Sequence, residues 1–106
     1  MIVDDANSGT NAATTIEAAR YARELIGNGA LTLVIGEEAR AVCEGFSPED
    51  VRRAVSAVSP TEVVYVGEAW SAAGEEHTAP SLEAGLDAAR RITPAGAIVL
   101  AVKTWR

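Results

Sequence analysis

The chain has 106 residues, 48% hydrophobic but only 5% aromatic, with a formal net charge of −6. That length suits one domain, and an aliphatic core of this size closes without disulfides or metals, which excludes a disordered tail and a disulfide-stapled miniprotein. The acidic balance argues against nucleic acid or an anionic membrane as partner. No apolar run or leader pattern points to a membrane or to export, and the lone Cys43 cannot close an internal disulfide, so a reducing cytoplasm is expected.

Ile2-Val3 is a short apolar run that stops at Asp4-Asp5. "NAATTIEAARYARELIG" then spaces Ile16, Ala19, Ala22 and Ile26 by three, three and four, which predicts a helix buried on that face. Thr10 or Asn11 is placed to cap it, and Gly27-Asn28-Gly29 to end it. "LTLVI" (Leu31 to Ile35) reads as a strand covered on both faces. "EEARAVCEGF" puts Ala39, Val42, Cys43 and Phe46 at helical spacing, with Cys43 read as a buried structural thiol. In "SPEDVRRAVSAVSP", Ser47 caps a helix, Pro48 takes its first position and Asp50 completes a capping-box pattern, with Val51, Ala54, Val55 and Val58 as the buried stripe. "EVVYV" (Glu62 to Val66) is the next strand.

Gly67 to Pro80 is the long irregular stretch, read as a functional loop or as holding one short strand near Trp70. Trp70 is expected to pack beneath that loop, and His77 to be solvated beside Glu75 and Glu76. "SLEAGLDAARRI" carries Leu82, Leu86, Ala89 and Ile92 on one helical face, and "AIVLAV" (Ala97 to Val102) is a last strand that ends at Lys103. The order β-α-β-α-α-β-loop-α-β predicts an α/β fold for residues 1–106 as a single domain. The architecture expected is a three-layer Rossmann-like sandwich with a mostly parallel sheet of four to six strands.

Ligands of such sheets bind beyond the carboxyl ends of the strands. Three of these ends are polar: Asp4-Asp5 with Asn7, Ser8, Gly9 and Thr10; Gly36-Glu37-Glu38; and Lys103-Thr104-Trp105-Arg106. The first also leads into a helix N-terminus, which favours an anion. A carboxylate pair beside small donors suits Mg²⁺ or a ribose, while Lys103 and Arg106 suit a phosphate or carboxylate; Lys103 is the one lysine among nine basic residues. Taken singly, each has a plainer role: Asp5 as a loop cap, Asn7 and Ser8 as turn formers, Lys103 as a solvated strand end. Their convergence at one sheet edge is what makes them a candidate site.

A strand ending in two acidic residues occurs in several families. "VDDANSGTN" resembles the acidic pair and phosphate loop of phosphoribosyltransferases, about one residue short. Asp4-Asp5 with Lys103 resembles response-regulator receiver domains, which phosphorylate an aspartate after the third strand, where this chain has Gly67-Glu68. Haloacid-dehalogenase-type phosphatases need Asp-x-Asp, and Asp5-Ala6-Asn7 lacks the second. The resemblance that spans nearly the whole chain is to the C-terminal domain of the Mur ligase family. Asp4, Asp5 and Asn7 match its D-D-S-Y-N-A-N-P pattern, with Gly9 where proline is usual. "SLEAGLDAARRITPAGAIVLAVKTWR" is similar to its late helix and G-D-x-V-L-V-K-G-S-R strand, with Lys103 on the family's lysine and Lys-Thr-Trp-Arg in place of Lys-Gly-Ser-Arg.

This resemblance implies part of an ATP-dependent, ADP-forming ligase that activates a carboxylate as an acyl phosphate for attack by an amine. The family's phosphate loop, Gly-x-x-Gly-Lys-Ser/Thr, belongs to a central domain and is absent here. The resemblance therefore implies that ATP and Mg²⁺ are bound mainly outside this chain, that the chain has no catalytic residue or metal ligand of its own, and that alone it is inactive. Its partner would be the central ATP-binding domain of the same protein, over which it closes. Asp4, Asp5 and Asn7 would line the nucleotide side of the cleft, and Lys103 and Arg106 would take a phosphate or substrate carboxylate. The family's Asp-Asn-Pro-Arg motif for the incoming amino acid is missing. That leaves the small-molecule carboxylate and amine open: a cell-wall precursor, pseudopeptidoglycan, or the amide- and ring-forming steps of a nickel-tetrapyrrole coenzyme in a divergent archaeal member. A stand-alone receiver-like regulatory module and a phosphoribosyltransferase-type core fragment are the alternatives.

Overall fold

Two apolar segments, Leu31–Glu37 and Ala97–Lys103, are buried through their first six residues. Only a position inside a sheet covered on both faces gives such a run a dry environment throughout. In the computed structural model, which describes residues 1–38, 46–93 and 95–104, these become the two inner strands. The elements are β1 (Ile2–Asp4), α1 (Ala12–Ile26), β2 (Leu31–Glu37), α2 (Pro48–Val58), β3 (Glu62–Val66), α3 (Glu68–Ala72), β4 (Thr78–Ala79), α4 (Leu82–Ile92) and β5 (Ala97–Lys103). The five strands form one all-parallel sheet in the order β1-β5-β2-β3-β4.

Strand alternation divides the core in two. Leu31, Leu33 and Ile35 of β2 and Ala97, Val99 and Ala101 of β5 pack with Ala22 of α1 and with Val51 and Ala54 of α2. Val34 of β2 and Ile98, Leu100 and Val102 of β5 pack with Leu82 and Ala89 of α4 on the other face. The result is the expected three-layer α/β sandwich, in which each fully buried Leu, Ile or Val side chain contributes about 1.5–3 kcal/mol. The helix α4 lies close to the sheet because Gly85 faces it: a Cβ there would sit 2.8 Å from Val34 Cγ1 and 3.1 Å from Val66 Cγ2. A buried hydrogen bond between the hydroxyls of Thr32 on β2 and Thr93 after α4 fixes the far end of that helix.

Several local expectations are met and several are corrected. Asn11, not Thr10, caps α1, and it forms a full capping box with Thr14. The buried face of α1 runs through Thr15, Ala19 and Ala22, rotated one residue from Ile16; the Thr15 hydroxyl is tolerated there because it donates to the Asn11 carbonyl at 2.7 Å. Ser47 caps α2 as expected, but the Asp50 carboxylate pairs with Arg53 at 3.1 Å instead of closing the box. The stretch around Trp70 is a short helix, not a strand; the extra strand is Thr78–Ala79. Trp70 is 4% exposed and stacks on Tyr65 at 4.5 Å, with the Arg52 guanidinium 5.2 Å from its ring centre. The helix expected over "EEARAVCEGF", with Cys43, lies largely outside the described residues, although β2 extends to Glu37 and Phe46 is buried in the core.

Candidate functional site

The sheet order sets β1, β5 and β2 side by side, so the three polar strand ends meet at one edge. Glu37 pairs with Lys103 across β2 and β5, and beyond β1 an isolated parallel bridge joins Asn7 to Lys103. Successive residues of extended chain point to opposite faces. The edge is therefore sorted into two sets. On the α1/α2 side are Asp5, Glu37 and, one step beyond Ala101, Lys103. On the α4 side are Asp4, Glu38 and Thr104. Arg106 lies outside the described residues.

The loop between β1 and α1 is held by its own side chains. Thr10 is buried, and its hydroxyl accepts from Asn7 N at 3.0 Å while facing the Asp5 carbonyl at 2.7 Å and the Asn7 carbonyl at 3.1 Å. Asn7 Oδ1 accepts from Gly9 N at 2.7 Å, and Asn7 Nδ2 donates to the Asp5 carbonyl at 3.1 Å. These are the local side-chain to backbone bonds that suit Asn and Thr to turns. The Asn7 side-chain amide thus shapes the loop, and the Asn7 backbone carbonyl accepts from Thr104 N at 3.1 Å, linking the loop to the end of β5.

Asp5 Oδ2 is buried and has no hydrogen-bond partner among the described residues. Burial pushes the Asp5 carboxyl above its ordinary value, the nearby Thr14 hydroxyl draws it back partway, and the neighbouring Asp4 charge raises it further. An unpaired buried acceptor costs stability, so its presence at a strand end is notable. Lys103 is half-buried, and its ammonium makes no ion pair among the described residues. A lone acceptor, a polar loop leading into a helix N-terminus and a cation thus share one side of the edge.

The α4 side is different in character. Asp4 is exposed; its Oδ1 accepts from Ala6 N at 3.0 Å, and it borders an open groove of about 630 Å³ whose apolar wall includes Ile2, Leu86 and Leu100. Glu38 bridges two elements there: Oε2 accepts from Leu82 N, in the first turn of α4, at 2.7 Å, and Oε1 accepts from the Thr104 hydroxyl at 2.5 Å. Sequence reading noted Glu38 only as a polar strand end. Its partners are 44 and 66 residues away, so no local spacing reveals them.

A second hollow of about 480 Å³ opens beyond β2, β3 and β4, with Phe46, Trp70 and Val66 in its wall. His77 lies 3.7 Å from Glu62 and 3.9 Å from Glu76 through Nε2, in a partly exposed acidic setting. Among the described residues, no group of three or more His, Cys, Asp or Glu is arranged to hold a metal ion, and no helix is long and apolar enough to cross a membrane.

Residues 1–104 match the family model described as "Coenzyme F430 synthetase CfbE, C-terminal domain". A curated relative, "Coenzyme F(430) synthetase" of Methanosarcina acetivorans, is 32% identical over 114 aligned positions that include the whole of this chain. The chain spans 24% of that relative's length. No solved structure matches.

Proposed function

The chain belongs to the family of coenzyme F430 synthetase CfbE C-terminal domains, and on that premise we propose that it is the closing domain of a Mur-type, ATP-dependent ligase acting on a precursor of that coenzyme. Of the acceptor classes left open by the Mur resemblance, the relative's name favours the tetrapyrrole coenzyme over cell-wall precursors and pseudopeptidoglycan. The reaction proposed is an amide- or ring-forming closure: a substrate carboxylate oxygen attacks the γ-phosphorus of ATP, ADP departs, and a nucleophile then displaces phosphate from the acyl phosphate. ATP and Mg²⁺ are held mainly by a central domain of the same cytoplasmic protein.

The observation that carries the site assignment is the grouping of Asp5, the Asn7 loop and Lys103 on one side of the sheet edge. Asp5 Oδ2, an acceptor with no hydrogen-bond partner among the described residues, suits a ribose hydroxyl. Lys103 is a point charge suited to a phosphate or carboxylate. Asn7 keeps the loop in shape and presents it to the nucleotide. Asp4 faces the second side of the same edge and lines the cleft from there. Arg106, three residues after Lys103 in the sequence, is proposed as a second cation for a phosphate or substrate carboxylate. The closing motion brings these groups to a nucleotide already seated elsewhere, so their contribution is orientation and exclusion of water.

The test is ADP formation. The full-length protein with the coenzyme precursor should release ADP, and this chain alone should release none. ADP release by the isolated chain, or none by the full-length protein with any F430 precursor, would overturn the reading.

A further inference from the structure

We propose that Glu38 is the positioning residue for Lys103, acting through Thr104. The inference rests on the reading of Lys103 as a ligand-facing cation. The Glu38 N–H donates to the Lys103 carbonyl at 2.9 Å. Its carboxylate accepts from the hydroxyl of the next residue, Thr104, at 2.5 Å. One residue, directly after β2, thereby grips both members of the Lys103-Thr104 dipeptide. The other carboxylate oxygen accepts from Leu82 N at 2.7 Å, so the grip is anchored on the first turn of α4. Thr104 is 6% exposed, and its N–H donates to the Asn7 carbonyl at 3.1 Å. The clamp therefore ties the ends of β2 and β5 to α4, from the face of the sheet opposite the Lys103 side chain, and through Asn7 it reaches the loop that follows Asp5.

The chemistry of the position calls for a carboxylate. Its two oxygens each meet a donor, Leu82 N and the Thr104 hydroxyl, and Leu82 N is at the positive end of a helix. An ionised carboxylate accepts from both in charge-assisted bonds. A glutamine offers one acceptor oxygen and places an amino group against the second donor. An aspartate is one methylene short of the span from β2 to α4. The lysine itself has a long flexible stem, so the direction of its ammonium depends on how firmly its backbone is held.

The experiment measures kcat and KM for ATP in the full-length enzyme with its coenzyme precursor, at a temperature where each variant is folded by circular dichroism. Lys103→Ala is the reference, and Thr104→Val, Thr104→Ser and Glu38→Gln are compared with it. Losing the clamp misplaces a contact made at the reacting end, so Thr104→Val and Glu38→Gln should lower kcat by about tenfold or more with little change in KM. Thr104→Ser keeps the hydroxyl and should restore kcat to near the native value. If Lys103→Ala is impaired while Thr104→Val and Glu38→Gln are not, Glu38 is a structural brace only and the proposal fails. If Lys103→Ala is itself unimpaired, the reading of Lys103 fails and the proposal falls with it. Equal loss in Thr104→Ser and Thr104→Val would also overturn it, because the hydroxyl would then not be the link.

Discussion

Asp4 and Asp5 are adjacent in the chain, yet they serve opposite faces of the sheet edge. Asp4 borders the groove beside Leu86, Leu100 and Thr104, whereas Asp5 turns toward Thr14 of α1 and buries one oxygen that has no partner among the described residues. The extended backbone at the end of β1 enforces this division, since neighbouring side chains alternate. An acidic pair read from sequence as one double carboxylate is thus two separate groups, and only Asp5 shares its side with Lys103.

The burial of Asp5 has a pH signature. Its carboxyl is raised in the folded chain, first by desolvation, partly offset by Thr14, and then by the Asp4 charge. A carboxyl with a raised folded-state pKa stabilises the fold most fully below its unfolded value near 3.8, and that contribution is lost as pH rises through the folded value. Asp5→Asn cannot ionise, so the variant should be more stable than the native chain at neutral pH and lose that advantage below pH 3.8. Urea unfolding of both proteins across this pH range checks the sign.

The Thr32–Thr93 pair predicts non-additivity. Both hydroxyls are buried and bonded to each other. Replacing either threonine by valine strands the other hydroxyl and should cost about 1–3 kcal/mol, whereas replacing both should cost less than the sum. A double-mutant cycle by denaturant unfolding measures the difference. Additive losses would show that the two hydroxyls do not depend on each other.

Gly36 predicts a backbone requirement at the end of β2. Its φ is 144°, and a Cβ would lie 2.1 Å from the Val66 carbonyl oxygen. Gly36→Ala should therefore destabilise the domain by about 3 kcal/mol or more, a large share of the 5–15 kcal/mol typical of a domain. The midpoint of urea denaturation reports it.

Much of this architecture is legible in the sequence because its signals are local. The unbroken apolar runs at β2 and β5 announce a sheet covered on both sides, and the stripes of α2 and α4 have helical spacing, as the core confirms. The gathering of strand ends at one edge follows from topology. What sequence reading misplaced depends on tertiary contact. The buried face of α1 shifts to Thr15 because that hydroxyl can satisfy itself on the Asn11 carbonyl. The Trp70 ring is held by Tyr65 and Arg52, partners distant in the sequence that no local spacing reveals. Glu38 acts across 66 residues, a distance at which no pattern of spacing speaks.

On the function proposed above, the Asp5–Lys103 side of this edge serves an ATP-dependent closure in the full-length enzyme. The direct measurement is the rate of precursor-dependent ADP release by the full-length Lys103→Ala variant, with its thermal unfolding recorded in parallel. The expected result is a loss on the order of tenfold to a hundredfold with the unfolding temperature essentially unchanged, because a half-exposed strand-end cation contributes little to stability. Native turnover in a correctly folded variant would contradict it.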